Sequence, residues 1–391
     1  MSTIEVEHSA ITSKKFLQRR QRTEVLCKSL KAEDVSCQPV EFVSPPKWHM
    51  AHTTWFFEQF VLAPHYQDYK VYNKDYAYFF NSYYNNVGPR VLRHKRGLMT
   101  RPTLNEVLAY RSYVNEHMQK FIETGLTEAI AKTIEIGLQH EQQHQELLIY
   151  DIKYLFGHQP AYPTLDFKIE LKTEERDLNL ISIPEGVYDI GYSGNGFCWD
   201  NELGQHKTYL HHFEIANRLV TNAEYLEFIK SGAYDDFNLW HADGWDYIKS
   251  NNIEAPLYWH QDDNHWKLYT LNHGLVDLEP NAPVCHISFY EAFAFSQWSG
   301  MRLPTESEWE VASSKFNHGQ LWEWTNSAYL PYPNYTKVDG ALGEYNGKFM
   351  VNQMVLRGGS VASSPNHVRK TYRNFFHPEM RWLFSGIRLA K

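Results

Sequence analysis

The sequence predicts a two-domain protein, an N-terminal bundle of four helices followed by an α+β domain. Three observations point there. At 391 residues the chain exceeds what one hydrophobic core usually organises. Roughly its first 160 residues contain long stretches with few interior helix breakers. Beyond Gly157 the texture changes to short strand-like runs separated by Gly, Pro and Asn.

The helical stretches are expected at residues 10–32, 47–62, 103–124 and 126–156. Thr103, followed three positions later by Glu106, reads as a capping box that starts the third. Residues 66–102 form an aromatic and arginine-rich connection, and a loop of that length inside a compact domain is usually functional. The first domain is therefore expected over residues 8–160. A linker is expected at 161–177, where Pro163 and a charge cluster interrupt the pattern, and a second domain over 178–391. Within the second domain, residues 222–230 and 288–299 read as helices. No internal repeat or low-complexity tract interrupts either part.

Composition narrows the function classes. A hydrophobic fraction of 43% and a charged fraction of 21% describe an ordinary soluble chain. No apolar run approaches the roughly 18 residues of a membrane span. The charged segment 1–21 lacks the apolar stretch of a secretory signal, so a cytoplasmic location is expected. A net charge of −8 argues against nucleic-acid and acidic-membrane partners. Cys27, Cys37, Cys198 and Cys285 show no CxxC spacing, which indicates neither a disulfide framework nor a thiolate metal site. The chain is rich in His (20), Trp (12), Tyr (26) and Phe (22), a supply suited to metal ligation and to enclosing a small cationic ligand.

The sharpest local signal is His140-Glu-Gln-Gln-His144 in the fourth helical stretch. Residues four apart share a helix face, so two imidazoles there can converge on one metal. Leu148, Asp151 and Leu155 continue that face and make it bundle-interior, against the blander reading of two solvated histidines. The second stretch offers His52 within an apolar face able to pack against the fourth. Three neutral histidines leave coordination positions open, as a mononuclear oxygen-activating iron requires. HEQQH also matches the HExxH signature of zinc metallopeptidases, with Glu141 as general base. The longer frame fails, because Leu147 and Tyr150 stand where HExxHxxGxxH needs Gly and His.

His52 in SPPKWHMAHTTWFFEQF and His140 and His144 in GLQHEQQHQELL closely resemble the DinB-like domain of ergothioneine-pathway sulfoxide synthases. A second resemblance runs through the other half: VTNAEYLEF (220–228), PVCHIS (283–288), RLPTESEWE (302–310), LWEWT (321–325), LRGGS (356–360) and GIRLA (386–390). These are similar to the markers of the formylglycine-generating-enzyme domain, a variant of the C-type lectin fold. The implied architecture is a DinB-like four-helix bundle followed by a C-type-lectin-like domain. No cysteine follows Cys285, so the cysteine-pair chemistry of a formylglycine-generating oxidase is not expected. RLPTESEWE and LRGGS read as fold-defining turns and buried polar anchors.

The resemblance implies that His52, His140 and His144 hold Fe(II), with O2 as co-substrate. The implied reaction oxidises the sulfur of a thiol to a sulfoxide and joins it to the imidazole C2 of Nα-trimethylhistidine (hercynine). By the same resemblance Asn374 and Phe375 match positions around the trimethylammonium, and Gln143 matches a residue that binds the substrate imidazole. Arg90, or Arg93, is a natural partner for the carboxylate of the thiol substrate. Phe376 stands where members using γ-glutamylcysteine tend to have Asp, which favours free cysteine. Tyr83 and Tyr84 are the candidate proton donors, with Tyr345 as the alternative. Selenoneine-forming and ovothiol-type synthases share the iron motif and stay open as alternatives.

Overall fold

The computed structural model describes residues 11–167, 169–173, 176–263, 265–337, 343 and 346–391. Backbone contacts divide the chain into two compact units, one formed mainly by the described residues up to Phe167, the other by most of the remainder. Among the described residues no helix is long and apolar enough to cross a membrane.

The first unit is built on four long helices, α1 (Ser13–Cys27), α2 (Pro46–Phe57), α5 (Leu104–Glu123) and α6 (Glu128–Gly157), with the short α3 (Ala63–His65) and α4 (Tyr76–Phe80) between the second and third. Each long helix falls within a stretch expected from the sequence or overruns it by one residue. Pro46 opens α2, where its missing N–H costs nothing. Every residue of α2 is buried, including His49, His52 and Lys47. A helix buried on all sides is the centre of its bundle. Past Phe57 it loosens into one π-helical turn, Glu58–Leu62, and Glu58 is held there by the Tyr110 hydroxyl at 2.7 Å and the Tyr72 N–H at 2.9 Å. Thr103 and Glu106 form the expected reciprocal cap of α5, and Thr127 caps α6.

Two features bring α6 against α2. Gly137 presents no side chain, and a Cβ there would lie 2.6 Å from the Phe57 ring and 2.8 Å from Phe56. Glu141 is fully buried and accepts from Arg20 at 2.8 Å, from Thr23 at 2.7 Å and from Arg111. Arg20 also donates to Thr54 at 2.7 Å, so one carboxylate and two guanidiniums tie α1, α2, α5 and α6 together.

The second unit carries small antiparallel pairs and one mixed sheet. Strands β1 (Leu180–Ile183) and β4 (Phe213–Ala216) pair, as do β2 (Gly186–Ile190) and β3 (His206–Leu210). Helix α7 (Asn222–Lys230) matches the expected span, and α8 (Ala242–Ser250) precedes the meander β5 (Trp259–Asp262), β6 (His265–Thr270) and β7 (Gly274–Asp277). Helices α9 (Phe289–Trp298) and α10 (Glu306–Ala312) follow. The sheet orders β10 (Asn374–Phe376), β9 (Met354–Arg357), β8 (Trp322–Ala328) and β11 (Ser385–Gly386), with β11 parallel to β8.

RLPTESEWE was expected to be a turn with polar anchors, and it holds a helix as well. Thr305 and Glu308 form a capping box that starts α10. Its acids are anchored: Glu306 pairs with Arg373 at 2.8 Å, and Glu310 with Arg357 of LRGGS. Glu323 of LWEWT holds Arg388 of GIRLA at 2.6 and 2.9 Å. Gly358 and Gly359 adopt φ of 100° and 86°, a region that side-chain-bearing residues rarely enter.

Replacing Glu141 by Gln leaves buried Arg20 without a carboxylate and Arg111 with only the partly exposed Glu24. Denaturant unfolding is expected to show a loss of about 3–5 kcal/mol, and a loss under about 1 kcal/mol would contradict the clamp.

Candidate metal centre

Helices α2 and α6 cross where α2 carries His52 and α6 carries His140 and, one turn on, His144. One ring nitrogen from each of the three lies within 4.8 Å of the others, the one such cluster among the described residues. The Nε2 atoms of His52 and His140 are 3.2 Å apart.

Hydrogen bonds decide which nitrogens are free to donate a lone pair. His52 Nδ1 lies 2.6 Å from the Phe80 carbonyl, at the end of α4 where helix carbonyls lack intrahelical partners. A carbonyl only accepts, so Nδ1 carries the hydrogen and Nε2 keeps its lone pair. His144 Nδ1 lies 2.8 Å from His49 Nδ1, and His49 Nε2 lies 2.9 Å from Asp151 Oδ2. Asp151 also accepts the Ser44 N–H at 2.8 Å.

The surroundings keep these imidazoles neutral. Trp48 stacks on the His52 ring at 4.5 Å and 12°, and Trp55 stacks at 5.6 Å and 20°. Phe56 lies 5.1 Å from His140, and the Arg96 guanidinium sits 3.4 Å over the Trp48 ring. Burial, then the neighbouring imidazoles, hold His52 and His144 well below the ordinary histidine value. Burial takes His140 down to about 3. Three uncharged imidazoles with no thiolate among them form a donor set that suits iron, zinc or copper and leaves coordination positions open. Two nitrogens 3.2 Å apart fit two donors side by side on one ion with bonds of about 2.1 Å.

Glu141 does not serve as the peptidase reading requires. Burial raises its proton affinity, but Arg111 and Arg20 more than offset this and hold it below the usual carboxylate range. With both oxygens committed to Arg20, Thr23 and Arg111, it is a structural ion-pair partner and not a general base.

The other residues singled out from sequence fall into three groups. Tyr84 is fully buried, 5.7 Å from the Trp55 ring that flanks His52, and Tyr83 stacks on it at 4.7 Å. Gln143 is half-buried on α6 beside His144. Half-buried Arg90 donates to Asn85 at 2.6 Å, and exposed Arg93 donates to the Phe42 carbonyl. Asn374, Phe375 and Phe376 form β10 of the second unit, where Phe375 stacks on Tyr329 at 4.0 Å and 10° and Phe376 meets Trp382 edge-on at 5.1 Å. Tyr345 lies outside the described residues. Sequence reasoning missed His49 and Asp151 as partners of the cluster. The available signal was their spacing, His49 one turn before His52 and Asp151 two turns after His144.

The family model of the sulfatase-modifying factor enzyme 1-like domain matches residues 168–318 and 316–391, more than half of the chain. The chain belongs to the sulfatase-modifying factor enzyme 1-like family. In this family member the DinB superfamily model also matches residues 15–148, so a DinB-like helical domain precedes the C-type-lectin-like one. The chain is similar to the Hercynine oxygenase of Mycolicibacterium smegmatis, 28% identical over 65% of this chain and 70% of the relative. Similarity to the Hercynine oxygenase of Mycobacterium tuberculosis is 26% over 65% and 70% of the two chains. The Formylglycine-generating enzyme of Streptomyces coelicolor is 30% identical over 37% of this chain and 49% of its own length.

For this family member the depressed histidines carry a pH dependence. An unfolded chain protonates its imidazoles below about pH 6.5, whereas the folded protein keeps His49, His52, His140 and His144 neutral below that point. The unfolded state then binds more protons, so stability falls as pH falls. Denaturant unfolding of metal-free protein between about pH 7 and about pH 5 is expected to lose up to ~1.4 kcal/mol per pH unit for each imidazole. The slope should flatten when His52, His140 and His144 are replaced by Gln, and an unchanged slope would contradict the assignment.

Proposed function

We propose that this protein is an iron(II)- and O2-dependent sulfoxide synthase that joins a thiol, free cysteine, to the imidazole C2 of Nα-trimethylhistidine. The observation that carries the reading is the buried three-histidine cluster of α2 and α6, with the His52 Nε2 lone pair turned toward His140. The similarity to chains named Hercynine oxygenase points to the same substrate.

Iron(II) held there would supply the redox chemistry that makes O2 reactive toward sulfur. The chain's own groups then have separable tasks. His52, His140 and His144 hold the ion, and the Trp48, Trp55 and Phe56 rings exclude water from their rear. Gln143, beside His144, hydrogen-bonds the substrate imidazole. A trimethylammonium donates no hydrogen bond, so aromatic faces recognise it. Phe375, stiffened by its stack on Tyr329, is the face assigned to it, with Asn374 adjoining. Arg90, with Arg93 as the alternative, pairs with the carboxylate of the thiol substrate. Tyr83 or Tyr84 delivers the proton from a neutral hydroxyl. Phe376 offers no charge to hold the ammonium of a γ-glutamyl group, which favours cysteine. The proposed domains are residues 8–160, which carry His52, His140 and His144, and residues 178–391, which carry Asn374, Phe375 and Phe376.

The test loads the protein with iron anaerobically, then admits O2 with trimethylhistidine or histidine and with cysteine, γ-glutamylcysteine or a selenosugar. Mass spectrometry is expected to find a cysteine-linked sulfoxide of trimethylhistidine, dependent on both substrates and lost when His52, His140 and His144 become Ala. Strong preference for γ-glutamylcysteine would overturn the role of Phe376. Product in the triple variant would overturn the whole reading.

A further inference from the structure

We infer that His49 and Asp151 are positioning residues that fix His144 as its Nδ1–H tautomer and so reserve its Nε2 lone pair for the metal ion. The inference rests on the metal-binding reading above and adds two residues to it. An ionised carboxylate only accepts hydrogen bonds, so the 2.9 Å contact from His49 Nε2 to Asp151 Oδ2 puts the hydrogen on His49 Nε2. When the His144 Nε2 lone pair is on a metal ion, its Nδ1 can only donate, so His49 meets it with a bare Nδ1. The 2.8 Å contact between the two Nδ1 atoms needs a hydrogen, and that hydrogen belongs to His144. Its Nε2 is left as the donor.

The geometry makes this relay rigid. Asp151 Oδ2 is itself anchored by the Ser44 N–H at 2.8 Å, and both Asp151 and His49 are buried. His49 lies on α2 with His52, and Asp151 lies on α6 with His140 and His144, so the helix pair that brings the three imidazoles together also sets the relay. The two ends of the cluster are treated differently. His52 is oriented by a neutral main-chain carbonyl, whereas His144 is tied through His49 to a full negative charge, which raises its donor strength.

The test uses Co(II) as a spectroscopic probe of the full chain, with affinity measured by chelator competition. It also reads the ring nitrogens of the metal-free protein by 15N-histidine NMR, with His144 assigned from a His144→Gln spectrum. Wild type is expected to bind one Co(II) and to carry the His144 hydrogen on Nδ1. His49→Phe keeps the ring volume but cannot bridge, and should weaken Co(II) about 10–100-fold and change its visible absorption. His49→Gln, whose amide both donates and accepts, should stay within a few-fold of wild type, a rescue that mere packing does not explain. Asp151→Asn keeps an acceptor oxygen without charge and should fall between them; it serves in place of His49→Phe if that variant does not fold.

A folded His49→Phe that binds Co(II) with wild-type affinity and spectrum overturns the relay and leaves the metal site standing. A hydrogen found on His144 Nε2 also overturns it. Wild type that binds no Co(II) removes the proposed function instead, and the nitrogen spectra then decide the tautomer alone.

Discussion

Inside the helical bundle two imidazole nitrogens face each other across 3.2 Å, and at least one of them, His52 Nε2, carries a bare lone pair. Two lone pairs that close repel, so the pair needs either a hydrogen on His140 Nε2 or a positive centre between them. In water the conflict would dissolve by solvation or protonation. Here the rings of Trp48, Trp55 and Phe56 remove the first remedy, and burial makes the second expensive. A metal ion shared by three neutral imidazoles satisfies the constraint, and much of the first unit can be understood as the means of holding these rings in place.

That means is layered. Because α2 is buried on every side, its register cannot slip without exposing apolar residues or burying polar ones. Gly137 lets α6 approach the Phe56 and Phe57 rings closely. The clamp of Glu141 with Arg20 and Arg111 then fixes α6 axially one residue beyond His140, and α4 ends where the Phe80 carbonyl meets His52. A buried ion pair is weak evidence for stability, but in some proteins it specifies one arrangement, and the placement of this one beside a ligand position fits that use. The second unit applies the same device, with Glu306, Glu310 and Glu323 holding the buried Arg373, Arg357 and Arg388.

Much of this was legible in the residues. The long helices follow from apolar periodicity, scarce breakers and the Thr103 cap, all local signals. The convergence of His52 with His140 and His144 was readable because one face of α6 carries both of its histidines and continues into Leu148 and Leu155. Helix α10 escaped because seven residues hold too little periodicity to register, although Thr305 and Glu308 advertise its start. Glu141 was misleading for a different reason. In the peptidase pattern the acid faces the ions, whereas here it faces α1 and α5, and sequence spacing alone does not say which partners await a side chain across the bundle. His49 and Asp151 were hidden in the same way, since their link depends on the relative rotation of two helices far apart in the chain.

X-ray absorption at the iron edge of anaerobically loaded protein reports directly on the ion's own neighbours. The account predicts three imidazole nitrogens at about 2.1 Å, with the multiple-scattering pattern of histidine rings and light atoms in the remaining positions. A sulfur neighbour, or a shell of oxygen atoms without imidazole scattering, would contradict it.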